Sequence, residues 1–533
     1  MTVKEKLALP RADYPEQAGV SSKEIENLIR DFRESGIEVH SFMILSRGKV
    51  AFESWAEPYS PETPHMMYSV SKSFTSTAVG FAVSEGLLSL DTRFVDVFPE
   101  YRNEKDKNLE ALNVHYLLSM QSGKNVSVFS DKGKNRWIED FVNSPWGFAP
   151  GEGWQYISEN QYILCAMLKE VTGMTVTEYL TPRLYEPLGI DVPFWEHDIN
   201  GIEAGGWGLF LKTEDLAKFI YCYQHNGMYM GRQVIPAEWV QLAQRPWGDN
   251  SIVNSDPDGQ CGYGYCFWRC GGVNGYRADG MFSQFGIIPD DYDAAFIITA
   301  SEIDEQKTKE CIWRHFPKCL IEPDSELKPE KMPSLSSLGD ELPSSEHKAI
   351  EKEIEGRIIK FKKNIPLNAA GFPVSILPFP VVYMSGDRAG NISDVVFTFG
   401  ENECYFHWTE GDEENTIACG MDGISRKTEM TLAQMKFTAA ATAAWISDNE
   451  LQLNIRPVEA VAQRILKFTF NGNKVVFQPS SKMSIRAMSE HIAKDMKQWL
   501  PDIPPVQAAG YAAFDRIPNL VDCKHYGKFT DKK

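Results

Sequence analysis

The apolar segments of the first 300 residues fall in an order that restricts the fold sharply: strands, then helices, then strands again. Ser41-Phe-Met-Ile-Leu45 reads as a strand, Arg47-Gly48-Lys49 as its turn, and Val50–Trp55 as the return. A Pro-rich stretch, 58–64, follows. Ser69–Glu85 carries a helix pattern closed by Gly86, a residue suited to the left-handed C′ position. Further helices are expected over Val114–Met120, Glu159–Val171 and Thr213–Gln224, with Thr213 as an N-cap ahead of Glu214 and Asp215. Strands resume at Gly264–Cys270, Met281–Pro289 and Ala294–Ala300. The last is apolar, short and bounded by turn residues, as a central strand is. This order predicts an α+β fold, an antiparallel sheet built from both ends with helices inserted between.

Composition shifts at about Glu322, where Pro, Ser, Glu and Lys take over up to Gly356. Residues 323–365 are expected to be a linker. Beyond it, residues 375–480 alternate apolar and polar again: Ser393–Phe399, Cys404–Trp408, Glu450–Ile455 and Ile465–Phe470 before the Asn471-Gly-Asn turn. Successive strands with tight turns predict an antiparallel sandwich or small barrel over 366–533, with one helix near Ile485–Leu500. The domains expected are therefore 1–322, carrying any chemistry, and a β-rich domain over 366–533. At roughly 100–200 residues per domain, the 533-residue length agrees with at least two.

Charge narrows the partners. The chain has 54 Lys and Arg against 73 Asp and Glu, a net charge of −19, and no basic run. Phosphate backbones require a local excess of Lys and Arg, so a nucleic-acid partner is not expected. No window approaches the roughly 20 apolar residues of a membrane span, and the first ten residues show no signal-peptide core. The ten cysteines are scattered. The tightest set, Cys261, Cys266 and Cys270, lacks a C-x-x-C pair or an accompanying His cluster, so neither metal nor cofactor is expected and the thiols are read as reduced. The expected location is cytoplasmic.

Three motifs carry chemistry. In Tyr68-Ser69-Val-Ser-Lys72, residues i and i+3 share a helix face, so Lys72 can sit beside the Ser69 hydroxyl. A serine becomes a nucleophile when a neighbour takes its proton, and a Lys of lowered pKa can do that. S-x-x-K occurs four times, at Ser46, Ser69, Ser325 and Ser345, but only Ser69 opens a helix with an apolar body. In Pro150-Gly-Glu-Gly-Trp-Gln-Tyr156-Ile-Ser158, a Pro-Gly turn delivers Tyr156 and Ser158 just ahead of a helix, where a Tyr can exchange protons with a reacting group. In Ala278-Asp279-Gly280-Met281, the glycine marks a close backbone approach, by another segment or by a ligand. A substrate acyl group lying there would meet the Met281 N–H, which with the Ser69 N–H would make an oxyanion hole.

Together these motifs resemble those of the serine β-lactamase and penicillin-binding-protein-like hydrolases. The nearest likeness is to the class C-like branch that holds esterases, D-aminopeptidases and 6-aminohexanoate-dimer hydrolases. The likeness covers about residues 12–320. It includes Gly19-Val-Ser-Ser, Leu90–Pro99, the Tyr116-Leu-Leu-Ser-Met-Gln-Ser-Gly123 helix, Gly205–Phe219 and Gly227–Trp239. The resemblance implies a nucleophile at Ser69, its activating partner at Lys72, and the loop tyrosine at Tyr156. Ser158 falls where relatives often carry Asn or Ser. The strand triplet, frequently Lys-Thr-Gly or His-x-Gly, falls on Ala278-Asp279-Gly280 and so lacks its cation. If Asp279 faces the pocket it repels a substrate carboxylate. Arg277, next to Ala278 along the strand, is expected on the face opposite it.

The function expected is a serine hydrolase that cleaves an ester or amide of a small molecule through an acyl-enzyme on Ser69. Either Lys72 or Tyr156 can be the base. Ser158, Gly280 and Met281 are expected to hold substrate or oxyanion. The alternatives are a β-lactamase or D-amino-acid-specific peptidase, and a non-catalytic penicillin-binding-like module. Homo-oligomerisation is left open.

Overall fold

The computed structural model describes residues 7–124, 136–251, 256–339, 347–362, 392–432, 435–461, 463–484, 486–487 and 522–530. The chain divides into two compact units, residues 1–56 with 60–335, and residues 57–59 with 336–533.

In the first unit, β1 (Glu38–Ser46) turns through Arg47 and Gly48, both left-handed (φ 52° and 74°), into β2 (Lys49–Trp55). Lys49 thus belongs to the strand, and the turn has two residues. The remaining strands are β3 (Trp268–Arg269), β4 (Gly275–Gly280), β5 (Gln284–Pro289) and β6 (Ala294–Ser301). They form one antiparallel sheet in the order β2-β1-β6-β5-β4-β3, so the apolar run at 294–301 is central. Two expectations shift. Most of Gly264–Cys270 is irregular, and Met281–Ser283 forms the turn between β4 and β5. Phe282 and Ser283 carry that turn in the left-handed region (φ 66° and 71°) without any glycine, a strained arrangement for residues with a Cβ.

Helices α1 (Ser22–Glu34), α2 (Ser71–Ser84), α3 (Val114–Leu118), α4 (Glu159–Thr172), α5 (Thr213–Gln224), α6 (Ala237–Gln244) and α7 (Glu305–His315) come from the connections and the flanks. One core joins Ile25, Leu28 and Phe32 of α1 and Ile312 of α7 to Phe42, Ile44, Phe285, Ile287, Phe296 and Ile298 of the sheet. On α5, Thr213 is not the N-cap. Lys212 occupies that place, and the Thr213 hydroxyl instead hydrogen-bonds Ser41 at 2.7 Å.

Helix α2 is buried on all sides from Ser71 to Ala82. Buried hydroxyls need partners, and four of the five on this helix have one, Ser76 being the exception. Ser73 donates to the Cys266 carbonyl (2.7 Å) and Thr75 to the Gly205 carbonyl (2.9 Å). Thr77 bonds the Tyr223 hydroxyl (2.7 Å), and Ser71 accepts from the Leu209 N–H (3.2 Å). Gly80 supplies the gap that α6 needs, since a Cβ there would lie 2.4 Å from the Trp239 ring. Gly80→Ala is expected to lower stability by about 1–3 kcal/mol through overpacking, read as a lower denaturant midpoint at unchanged slope. An unchanged midpoint would show that the Trp239 ring can give way.

In the second unit, β7 (Ile359–Phe361), β8 (Ile392–Phe399), β9 (Glu403–Glu410), β10 (Glu413–Gly420), β11 (Arg426–Leu432), β12 (Met435–Ser447), β13 (Glu450–Pro457), β14 (Arg464–Asn471), β15 (Lys474–Ser481) and β16 (His525–Phe529) form a ten-stranded sheet. Its order is β10-β9-β8-β7-β16-β15-β14-β13-β12-β11. Gly420 of β10 also bridges Thr442 of β12, which closes the sheet into a barrel. Strict alternation on β9 and β14 sends Phe406, Trp408, Leu466, Phe468 and Phe470 into the buried set, as a half-buried sheet requires. Of the helix expected at Ile485–Leu500, residues 486–487 are described and helical, and the rest lies outside the described residues.

Candidate active site

The chain enters the site through His65–Met66, paired with Phe210–Leu211, and through the Met67 N–H, which donates to the Leu209 carbonyl (2.8 Å). Tyr68 then adopts a left-handed backbone (φ 46°), rare for an aromatic residue. A single 3-10 turn, Tyr68–Val70, leads into α2. This presents Ser69, partly exposed, at the head of a helix whose body is inaccessible.

Lys72 follows one turn later and is 1% exposed. Its Nζ donates to Ser69 Oγ at 2.8 Å and to the Gly206 carbonyl at 2.7 Å. Burial pushes the Lys72 ammonium down to about 7. The nearby Cys266, Glu159 and Asp279 offset part of that fall. The amine also lies 4.8 Å from the Tyr156 ring centroid. Burial holds the Tyr156 hydroxyl well above its ordinary value, while a hydrogen bond with Ser69 draws it partly back. Ser69, Lys72 and Tyr156, 84 residues apart in sequence between Lys72 and Tyr156 (156 − 72), are thus brought into one cluster.

Ser158 stands at the N-cap position of α4, half-exposed, and its side chain makes no capping bond. Its carbonyl packs on Gly206, where a Cβ would come within 2.6 Å. Only a residue without a Cβ brings this loop close enough for its carbonyl to reach Lys72. Gly206 belongs to no catalytic motif in the sequence, and the Gly205-Gly206 doublet is the visible signal for such an approach.

Gly280 ends β4. The space its Cβ would fill is occupied by the Met67 carbonyl, 2.4 Å away, with the Val70 nitrogen at 3.2 Å. The close approach inferred for this glycine is therefore made by the turn that carries Ser69. Met281, 39% exposed, follows in the β4–β5 turn rather than in a strand. The Tyr68 and Phe282 rings meet edge to face at 5.0 Å, so the two strained turns press on each other.

Asp279 is matched from its own strand. Arg277, two residues back and so on the same face, donates Nε–H to Asp279 at 2.6 Å and a further N–H to the Arg269 carbonyl at 2.5 Å. Arg277 is 1% exposed. A cation buried this deeply and bound to its own strand is committed, and offers little to a substrate carboxylate.

Aromatic residues wall one side of the cluster. Trp268 lies 5.3 Å and Tyr263 6.0 Å from the Tyr156 ring, with Trp154 behind them. Trp146 lies elsewhere, under the Lys124 amine at 3.7 Å and bonded to Asp106. Among the described residues no group of three His, Cys, Asp or Glu side chains could hold a metal, and no helix is long and apolar enough to cross a membrane.

An antiparallel sheet with helices on its flanks, and a serine at the head of a buried helix, defines a class of folds with a known profile. The profile of the Beta-lactamase family matches residues 25–311, more than half of the chain. The protein belongs to this family of serine hydrolases. Among similar sequences are an uncharacterized protein of Alkalihalophilus pseudofirmus, 22% identical over 243 residues, and protein flp of Staphylococcus aureus, 26% identical over 210 residues. The first match takes in 40% of this chain and 67% of the relative, the second 35% and 42%. Among solved structures, a candidate 6-aminohexanoate-dimer hydrolase from Bacillus anthracis aligns over 57% of this chain and 86% of its own, at 17% identity and a TM-score of 0.47.

Proposed function

We propose that the protein hydrolyses an ester or amide bond of a small, uncharged substrate by two-step acyl transfer on Ser69. The observation that carries this reading is the Lys72 amine, buried, 2.8 Å from Ser69 Oγ and held near neutrality. A neutral amine can take the Ser69 proton while one N–H still donates to Gly206, so it is a base already oriented. Tyr156, whose proton is held more tightly, fits the complementary task of protonating the leaving group. This assigns the base to Lys72.

In the first step the Ser69 Oγ–carbonyl bond forms as the proton passes to Lys72. The bond to the leaving alcohol or amine then breaks, and that group departs with a proton from Tyr156, which Lys72 replaces. Water hydrolyses the acyl-enzyme, releasing the acid and restoring Ser69. The Ser69 and Met281 N–H groups are assigned to the oxyanion, Gly280 to the close approach that aims the Met281 N–H, and Ser158 to the substrate-facing edge. The Arg277–Asp279 pair argues for an uncharged substrate, because the arginine beside the strand triplet is already bound to a carboxylate.

A fluorophosphonate tests this directly. It is expected to form one adduct, on Ser69, located by peptide mass, at a rate that rises as pH passes through about 7 and Lys72 loses its proton. An adduct on another residue, or a rate indifferent to pH between 6 and 8, would sink the reading. Among substrates, a short p-nitrophenyl ester is expected to be cleaved faster than a chromogenic cephalosporin. The reverse order would instead favour the β-lactamase alternative.

A further inference from the structure

The turn that carries Met281 is held from outside the sheet. Phe282 and Ser283 both sit in the left-handed region, a conformation that persists only when the surroundings enforce it. The enforcing groups come from the first turn of α7. Glu305 accepts the Phe282 N–H on Oε1 at 3.0 Å, and Thr308 Oγ1 bonds Ser283 Oγ at 2.9 Å. From the sheet side, the Gln284 amide donates to the Met281 and Phe282 carbonyls at 3.2 and 2.9 Å. The Phe282 N–H is the backbone donor next to the Met281 N–H, so the carboxyl group that fixes one fixes the aim of the other.

We propose that Glu305 is a positioning residue for acyl transfer, its carboxyl group clamping the 281–283 turn so that the Met281 N–H meets the developing oxyanion. This rests on the acyl-transfer reading above and extends it to a residue in no recognised motif. A helix-borne carboxyl suits the task because α7 is anchored in the core through Cys311 and Ile312, so the clamp has a rigid base.

The charge on the clamp matters as much as its geometry. The groups that face Glu305 are Asp279 from β4, Lys309 from its own helix, Asp256 from the 256–260 turn, and Tyr156 from the loop before α4. Lys309, paired with Asp256 at 2.5 Å, offsets part of the rise at Glu305, and Arg277 is paired with Asp279. Burial and the Asp279 charge push the Glu305 carboxyl up to about 8. Below that pH it clamps the turn as a neutral acid. Above it, a second negative charge stands beside Asp279 and next to the place where the oxyanion forms, which opposes the reaction. Lys72 acts once it has lost its proton and Glu305 while it keeps its own, so the two groups set opposite limbs of the pH profile.

The test uses the full chain, reading the rate of Ser69 phosphonylation by a fluorophosphonate together with kcat and KM for p-nitrophenyl butyrate. Glu305→Ala removes the acceptor and is expected to lower kcat and the phosphonylation rate about 10- to 100-fold with little change in KM. Glu305→Gln restores an acceptor that cannot ionise, so it recovers most of that loss. It also removes the decline that the wild type shows above about pH 8. A wild-type phosphonylation rate in Glu305→Ala, or a decline that stays in place in Glu305→Gln, overturns the inference. If Glu305→Ala fails to fold, the pH profile of Glu305→Gln still decides. Wild-type protein unlabelled at Ser69 would overturn the acyl-transfer reading itself. Labelling at Ser69 with an unmoved decline removes only the role of Glu305.

Discussion

Lys72→Met is expected to lower kcat/KM for a short ester by about 10²–10⁴-fold, the usual range for a lost general base, while making the protein more stable. The two effects have one cause. Holding an ammonium group in a place that is 1% exposed favours its loss of a proton, and the fall from 10.5 to about 7 measures that cost. At 1.36 kcal/mol per unit the cost is on the order of 3–5 kcal/mol. Methionine fills a similar volume without a charge, but it abandons the Gly206 carbonyl, which returns about 1–3 kcal/mol. The net gain expected is about 1–3 kcal/mol.

Its pH dependence has a definite sign. Between about 7 and 10.5 the unfolded chain binds the Lys72 proton and the folded chain does not, so wild-type stability rises with pH across that window. The advantage of Lys72→Met is therefore largest at or below pH 7 and fades toward 10.5. Denaturant titrations of both proteins at pH 6.5 and 9.5 measure it. A variant less stable than wild type at both values would mean that Lys72 is structural first and catalytic second. Combining it with Ser69→Ala is expected to cost little further activity, because the two side chains act as a unit.

Gly280→Ala has the second largest effect expected, about 10²-fold in kcat. The added Cβ would meet the Met67 carbonyl at 2.4 Å, and that carbonyl also accepts the Val70 N–H of the nucleophile turn at 3.1 Å. Backbone cannot rotate aside as a side chain can. The end of β4 must therefore retreat from the turn, drawing the Met281 N–H away from Ser69. Substrate contacts made elsewhere are unaffected, so the loss is expected in kcat and in phosphonylation rate with KM nearly constant. A matching rise in KM would place the glycine in substrate binding instead.

The parts of the site legible in the sequence are those set by local periodicity. Ser69 and Lys72 are readable because positions three apart on a helix share a face, and the apolar body of 74–82 marks the helix. The central strand at 294–301 and the barrel strands are readable because alternation and burial coincide. A sandwich and a barrel share that alternation. Among the described residues, the continuous strand order and the bridge from Gly420 to Thr442 distinguish them, and no periodicity encodes either.

Other features depend on distant partners. Thr213 has the form of a cap, but Ser41, 172 residues away, takes its hydroxyl. The Met281–Ser283 turn contains no Gly or Asn to announce it, because Glu305 and Thr308 supply from outside what turn residues supply locally. Strand alternation places Arg277 opposite its neighbour Ala278. Its proper comparison is with Asp279, two positions along the same face, and the ion pair follows from burying both. Glu305 lies in no motif and becomes visible only through the N–H it accepts.

The hydroxyl bonds around α2 also bear on when in its life the chain becomes reactive. Lys72 finds its carbonyl 134 residues downstream, at Gly206, and Ser73 finds its own 193 residues downstream, at Cys266. A ribosome that has released the first 200 residues has delivered the nucleophile, its base and Tyr156, but not the Gly206 and Cys266 segments that complete the shell lowering the affinity of the amine for protons. The nascent chain thus carries Lys72 without its carbonyl acceptor and without the strands that bury it. Reactivity is conferred by late, long-range closure rather than by local folding, which shields the growing polypeptide from its own chemistry until the sheet is complete.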